Sequence, residues 1–211
     1  MKQKRKWFSL ALLAAFVVWT LLVRWIDVKP IGPEGSAVGF ATLNAFVHDL
    51  TGVHMSLYTL TDWLGLLPVA IALSFALLGL AQWIRRGRLG KVDRSILMLG
   101  GFYAMVVAVF LFFEVVVINY RPVLILGALE ASYPSSTTLL TLCVMPTAAM
   151  QARARVKKNG LRRGLTVAIV AFIAFMVIAR LLSGVHWITD ILGGALLSAG
   201  LVTWYRSLTN L

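Results

Sequence analysis

The stretch RARVKKNGLRRGLTVAIVAFIAFMVIARLLS, residues 153–183, decides the fold. Its first part carries Arg153, Arg155, Lys157, Lys158, Arg162 and Arg163, and an apolar run from 165 to 183 follows with Arg180 as its one charge. A helix of that length reaches roughly 28 Å, close to the ≈ 30 Å of bilayer hydrocarbon. A basic flank leading into such a run is the signature of a membrane span whose basic end stays in the cytoplasm.

Working outward, further apolar runs lie at 7–26, 62–84, 95–118 and 187–205, with a shorter one at 136–152. The expected fold is therefore an all-α bundle of six transmembrane helices in one integral membrane domain, 1–211. Composition agrees: 60% of the 211 residues are hydrophobic, only 13% are charged, and the mean hydropathy is +0.86. Soluble domains carry about 25% charged residues, so the apolar excess here has to face lipid.

The net charge of +12 raises the question of a nucleic-acid partner, and its distribution answers it. Besides the six basic residues quoted, Lys2, Lys4, Arg5 and Lys6 precede the first run. Arg85, Arg86, Arg88, Lys91 and Arg94 follow the second, and Arg206 ends the sixth. Sixteen of the twenty basic residues thus fall on one side, leaving Arg24, Lys29, Arg121 and Arg180 on the other. This is a topology signal rather than a nucleic-acid surface, and it sets both termini in the cytoplasm and the connections 27–61, 119–135 and 184–187 outside. The first run lacks a small-residue cleavage site and reads as an uncleaved anchor. Cys143 is the sole cysteine, so no disulfide framework exists.

The long outer connection, 27–61, opens with the turn-rich Lys29-Pro30-Ile31-Gly32-Pro33. Beyond it Phe40, Leu43, Val47 and Leu50 recur at helical spacing, which predicts an amphipathic helix at the interface or tucked over the bundle.

Ionisable residues inside spans are costly, about 2.5–3.5 kcal/mol each at the centre on insertion scales. Glu114, Arg121, Arg180 and Asp190 all sit at the outer ends of spans, and His186 joins them. If His186 begins the last span, Asp190 shares its face one turn along and can hold one ring nitrogen protonated. Arg180 can present a planar fork to phosphate oxygens. Tyr133-Pro134-Ser135-Ser136-Thr137-Thr138 opens the fourth span with capping chemistry, and a helix start also suits an anion.

These residues resemble the type 2 phosphatidic acid phosphatase superfamily, with its blocks K-x6-R-P, P-S-G-H and S-R-x5-H-x3-D. Arg121-Pro122 represents the first block, Pro134-Ser135 the second, and Arg180, His186 and Asp190 the third at full spacing. Three positions depart: Glu114 stands for the lysine, Ser136 and Thr137 for the glycine and histidine, and Ala179 for the serine. The resemblance implies His186 as the phosphorylated nucleophile and Asp190 as its orienter. It also implies a phosphate cradle of Arg121, Arg180, Ser135 and Ser136, with Glu114 and Thr137 as auxiliary positions. No metal or other cofactor is implied, and the partner is a lipid phosphate in the membrane.

Without the block-two histidine, a basic alkoxide leaving group lacks a proton donor, a loss of about 10²–10⁴-fold. A diphosphate substrate would need that help less. Alternatively His48, His54, Glu114 or Glu130 supplies the acid, or hydrolysis is impaired and the protein binds lipid phosphate or a partner. Glu114 has a competing use as an ion-pair partner of Arg121 or Arg180. A haloperoxidase is disfavoured by the membrane spans, and a transporter would place its charges nearer the midplane.

Overall fold

A computed structural model describes residues 2–209; Met1, Asn210 and Leu211, the ends of the expected domain, lie outside the described residues, as does the side chain of Lys2. Eight α-helices are formed among them: α1 (Lys2–Trp25), α2 (Ala41–Thr51), α3 (Met55–Leu64), α4 (Leu66–Arg86), α5 (Arg94–Val115), α6 (Ser136–Arg155), α7 (Asn159–Leu182) and α8 (Ile188–Leu208). No strand occurs among the described residues, only three isolated antiparallel bridges.

Five segments are long and apolar enough to cross a membrane: Gln3–Trp25, Met55–Arg86, Arg94–Val115, Asn159–Leu182 and Ile188–Leu208. The second joins α3 to α4 across Gly65, so it begins earlier than the run 62–84 suggested. Helix α6 has 20 residues but is too polar to count with the five, because Thr138, Thr141, Thr147 and Gln151 face the interior. The chain is an integral membrane protein.

Helix α8 forms the axis, packing against α1, α2, α5, α6 and α7. Its Gly193 lets the Tyr133 ring lie against the backbone: a Cβ there would come within 2.5 Å of the ring. Tyr133 in turn stacks on Phe16, meets Phe113 edge-on and bonds Thr20 at 2.7 Å, so α1, α5 and α8 are tied around one aromatic. Chain order separates the two ends of the bundle. The starts of α6 and α8 meet the ends of α1, α5 and α7 at one end, and the basic clusters gather at the other.

Over the first end lies the segment between α1 and α4. The predicted amphipathic helix is α2, and its apolar Leu43, Phe46 and Leu50 point outward while Ala41 and Asn44 are buried. Asn44 reaches the start of α8, donating to Thr189 Oγ1 at 3.0 Å and accepting its amide at 3.3 Å. Asp27 accepts the Thr42 amide at 2.7 Å and pairs with Lys29; the Thr42 bond first, and then Lys29, hold its carboxyl down at about 2. At the far side of this roof, Gly184 has a φ of +67°, and a Cβ on it would lie 1.9 Å from the Gly52 carbonyl oxygen. Glycine is required there on both counts. The His54 amide donates to Ser183 O at 3.0 Å and the His48 ring meets Gly184 O at 3.2 Å. The roof is therefore bonded directly to the turn that carries His186.

Candidate active site

The turn between α7 and α8 sets the first half of the site. His186 precedes the helix, since α8 starts at Ile188 with Trp187 as its cap. Asp190 occupies the third helical position and folds back to accept the Trp187 amide at 2.9 Å, satisfying one of the free N–H groups of the helix start. The expected direct pairing of His186 and Asp190 on one helical face is thereby altered. Their nearest approach, Nδ1 to Oδ2, is 3.9 Å.

A serine fills that gap. Ser132 Oγ donates to Asp190 Oδ2 at 2.5 Å and lies 2.9 Å from His186 Nδ1. With its proton committed to the carboxylate, the hydroxyl oxygen accepts from Nδ1–H. That leaves Nε2 as the bare nitrogen. Asn119 completes the carboxylate's shell from 3.5 Å on Oδ1, and Asp190, His186 and Ser132 are all buried.

The loop between α5 and α6 delivers the second half. Its Tyr120–Ala131 bridge, with Arg121 N donating to Glu130 O at 3.0 Å and Ser132 N to Asn119 O at 2.9 Å, sets Arg121 and Ser132 on the two arms of a hairpin. Arg121 Nη1 lies 3.4 Å from His186 Nε2, and its Nε is 3.0 Å from Glu130 Oε2. Arg180, from the last turn of α7, is only 1% exposed; it donates to Thr61 at 3.1 Å, and its Nε has no hydrogen-bond partner. Both guanidinium groups sit against the Tyr58 ring, at 5.9 Å for Arg121 and 4.8 Å for Arg180. Burial first, and then these two cations, hold His186 well below its ordinary 6.5, so the ring is neutral at pH 7.

Three sequence candidates, His186, Asp190 and Arg121, are thus linked in one chain of contacts, and Arg180 joins it through Tyr58. Ser136 and Glu114 line a small pocket of about 10 Å³ together with His186 and Ser132. Ser135 is placed differently from expectation. Its amide donates to Asp190 O at 3.1 Å and its hydroxyl caps Thr138, so it joins α6 to α8 instead of offering an open donor. Thr137 turns to a second, larger cavity beside Gly65. Glu114 is exposed, and the acid paired with Arg121 is Glu130, not Glu114. Of the other acid candidates, His48 is spent on Gly184 O and an exposed His54 on Thr51 O. Ser132, Asn119, Tyr58 and Thr61 were not anticipated; only a hydroxyl three residues before Ser135 hinted at the first.

The second cavity, about 1080 Å³, runs between α4, α5 and α6 and is overwhelmingly apolar. Ser136, Phe110 and Leu139 line both cavities. From Leu66 to Gly79 on α4 it extends for about 20 Å at 1.5 Å per residue.

A helical membrane protein whose oriented imidazole meets one guanidinium, with a second held beside the first on Tyr58, is the class that fold and site define. The chain belongs to the PAP2 superfamily, whose family model matches residues 69–210, bearing out the resemblance read from the motifs. Among solved structures it is similar to the first transmembrane PAP2-type phosphatidylglycerolphosphate phosphatase, from Bacillus subtilis. The two are 16% identical, 95% of this chain and 94% of that one are covered, and the TM-score is 0.53. No curated protein matches the chain.

Proposed function

We propose that the protein is a membrane lipid phosphatase that removes a phosphate or diphosphate headgroup through a phosphohistidine on His186. The observation that carries this reading is the unprotonated Nε2 of a neutral His186, its Nδ1 held by Ser132 and its lone pair accepting from Arg121 Nη1 at 3.4 Å. In the first step the Nε2 lone pair forms a P–N bond while the P–O bond to the leaving group breaks, its electron pair departing with that oxygen. Arg121 and the unpartnered Nε of Arg180 neutralise the phosphoryl oxygens, and the start of α6 at Ser136 adds its dipole. In the second step water attacks phosphorus, the P–N pair returns to Nε2 and the water's proton leaves to solvent.

On this reading α6 is the sixth span, both termini are cytoplasmic, and residues 1–211 form one domain with the site on the non-cytoplasmic face. The basic clusters at the opposite end support that orientation. The apolar cavity that shares Ser136, Phe110 and Leu139 with the site pocket supports an amphiphilic substrate whose tail lies along α4 and α5. Family membership, together with the likeness in fold to a phosphatidylglycerolphosphate phosphatase, supports the lipid class: phosphatidic acid, phosphatidylglycerophosphate or a polyprenyl diphosphate. The missing block-two histidine favours the diphosphate, whose leaving group is less basic. The test is phosphate release by purified wild type and His186→Ala against monoester and diphosphate lipids. Turnover that disappears in the variant supports the enzyme; binding without turnover in the wild type supports the impaired binder instead.

A further inference from the structure

The geometry points to Ser132 as a positioning residue that carries the charge of Asp190 to His186 through its hydroxyl. This rests on the phosphohistidine reading, and goes beyond it by adding a member that none of the three motif blocks contains. Asp190 Oδ2 cannot bond the ring directly across 3.9 Å, while the Ser132 oxygen stands 2.5 Å from one partner and 2.9 Å from the other. The alternatives for that hydroxyl are closed. Ser132 is 3% exposed, and its oxygen has these two partners and no other. Its place is also fixed independently of them, because its amide is bonded to Asn119 O at 2.9 Å and Asn119 itself holds the Gly39 amide and Asp190 Oδ1.

Direction follows from chemistry. A carboxylate accepts only, so the serine proton goes to Asp190 and the serine oxygen faces Nδ1–H. When Nε2 attacks phosphorus the ring becomes cationic and keeps its Nδ1 proton. The polarised hydroxyl then stabilises that cation without itself losing a proton. Removing the hydroxyl leaves Nδ1 without an acceptor in a buried site, and the ring is free to take the other tautomer, whose protonated Nε2 cannot attack. Ser132 touches no reacting atom, so its loss acts on kcat and leaves KM nearly unchanged.

The test pairs Ser132→Ala with Ser132→Thr, which keeps a hydroxyl, and follows two readouts in the full chain in detergent. Nitrogen-15 NMR of labelled histidines, with His186→Ala identifying the relevant signals, reports the tautomer without any substrate. Phosphate release from a phospholipid monoester and a prenyl diphosphate gives kcat and KM. Expected are an Nδ1–H tautomer in wild type and Ser132→Thr, a mixture in Ser132→Ala, and a fall in kcat between about 10- and 100-fold for Ser132→Ala with substantial rescue by threonine. An unchanged tautomer in Ser132→Ala, or equal kcat in all three, overturns the proposal. If Ser132→Ala does not fold, the wild-type tautomer decides, and Nε2–H there overturns it. Should wild type release no phosphate yet show the tautomer change, the hydrolase reading falls while the positioning role stands.

Discussion

The two cavities that share Ser136, Phe110 and Leu139 are built on opposite plans. Around His186 a continuous chain of hydrogen bonds runs from Asn119 through Asp190 and Ser132 to the ring. Between α4, α5 and α6 small residues such as Ala72, Ala76, Gly79, Gly100 and Gly101 leave space, and a Cβ added at either of the last two would meet nothing within 4 Å. The contrast teaches a division of labour. The His186 ring is fixed to a single geometry by hydrogen bonds, whereas the apolar space, on the proposed function the place of a lipid tail, prescribes little beyond length.

The contrast can be broken hardest at the nucleophile. His186→Ala is expected to lower phosphate release by about 10⁴-fold or more, measured as single-turnover rate, because no neighbouring base replaces Nε2. Arg121→Ala comes next, at about 10²–10³-fold in kcat/KM, the usual cost of removing one donor to a developing charge. Arg121→Lys should recover only part of it, since a point charge cannot serve both phosphate and Glu130 as a fork does.

A smaller effect concerns pH. On the proposed mechanism protonation of Nε2 silences the nucleophile, and His186 is held below 6.5 by burial and by Arg121 and Arg180, against the opposing hydrogen bond to Ser132. The acid limb of kcat/KM is therefore expected below pH 6.5. A limb above that value would show the carboxylate outweighing the two cations. The smallest effect belongs to the apolar side. Gly101→Leu should raise KM several-fold for a long-chain lipid phosphate, leave a short-chain soluble analogue unaffected, and keep kcat, measured with both substrates in the same detergent.

Helix content and the third motif block were legible because both depend on local spacing. The apolar runs mapped onto α1, α5, α7 and α8 within a few residues, and Phe40 to Leu50 announced α2. The Gly65 junction was hidden, since α3 and α4 are continuous in hydropathy. Which acid meets Arg121 was also hidden. Glu114 occupies the motif position, yet the hairpin between α5 and α6 brings Glu130 to the guanidinium instead. Ser132 escaped for the same reason: its role depends on a pairing between Tyr120 and Ala131 that no periodicity encodes. The helical-face argument for His186 and Asp190 named the right residues but not their contact, because the helix starts two residues after the histidine.

The roof bonded through His48, His54 and Asn44 to the catalytic turn has a kinetic consequence. On the proposed function, a cover fastened at those points leaves the flank between α4 and α5 as the expected way in for a lipid. A lipid phosphate entering there would arrive by two-dimensional diffusion. Turnover should follow the mole fraction of lipid phosphate among its neighbours in the leaflet, and diluting that leaflet with inert lipid should slow it even when the total amount of substrate in the tube is unchanged.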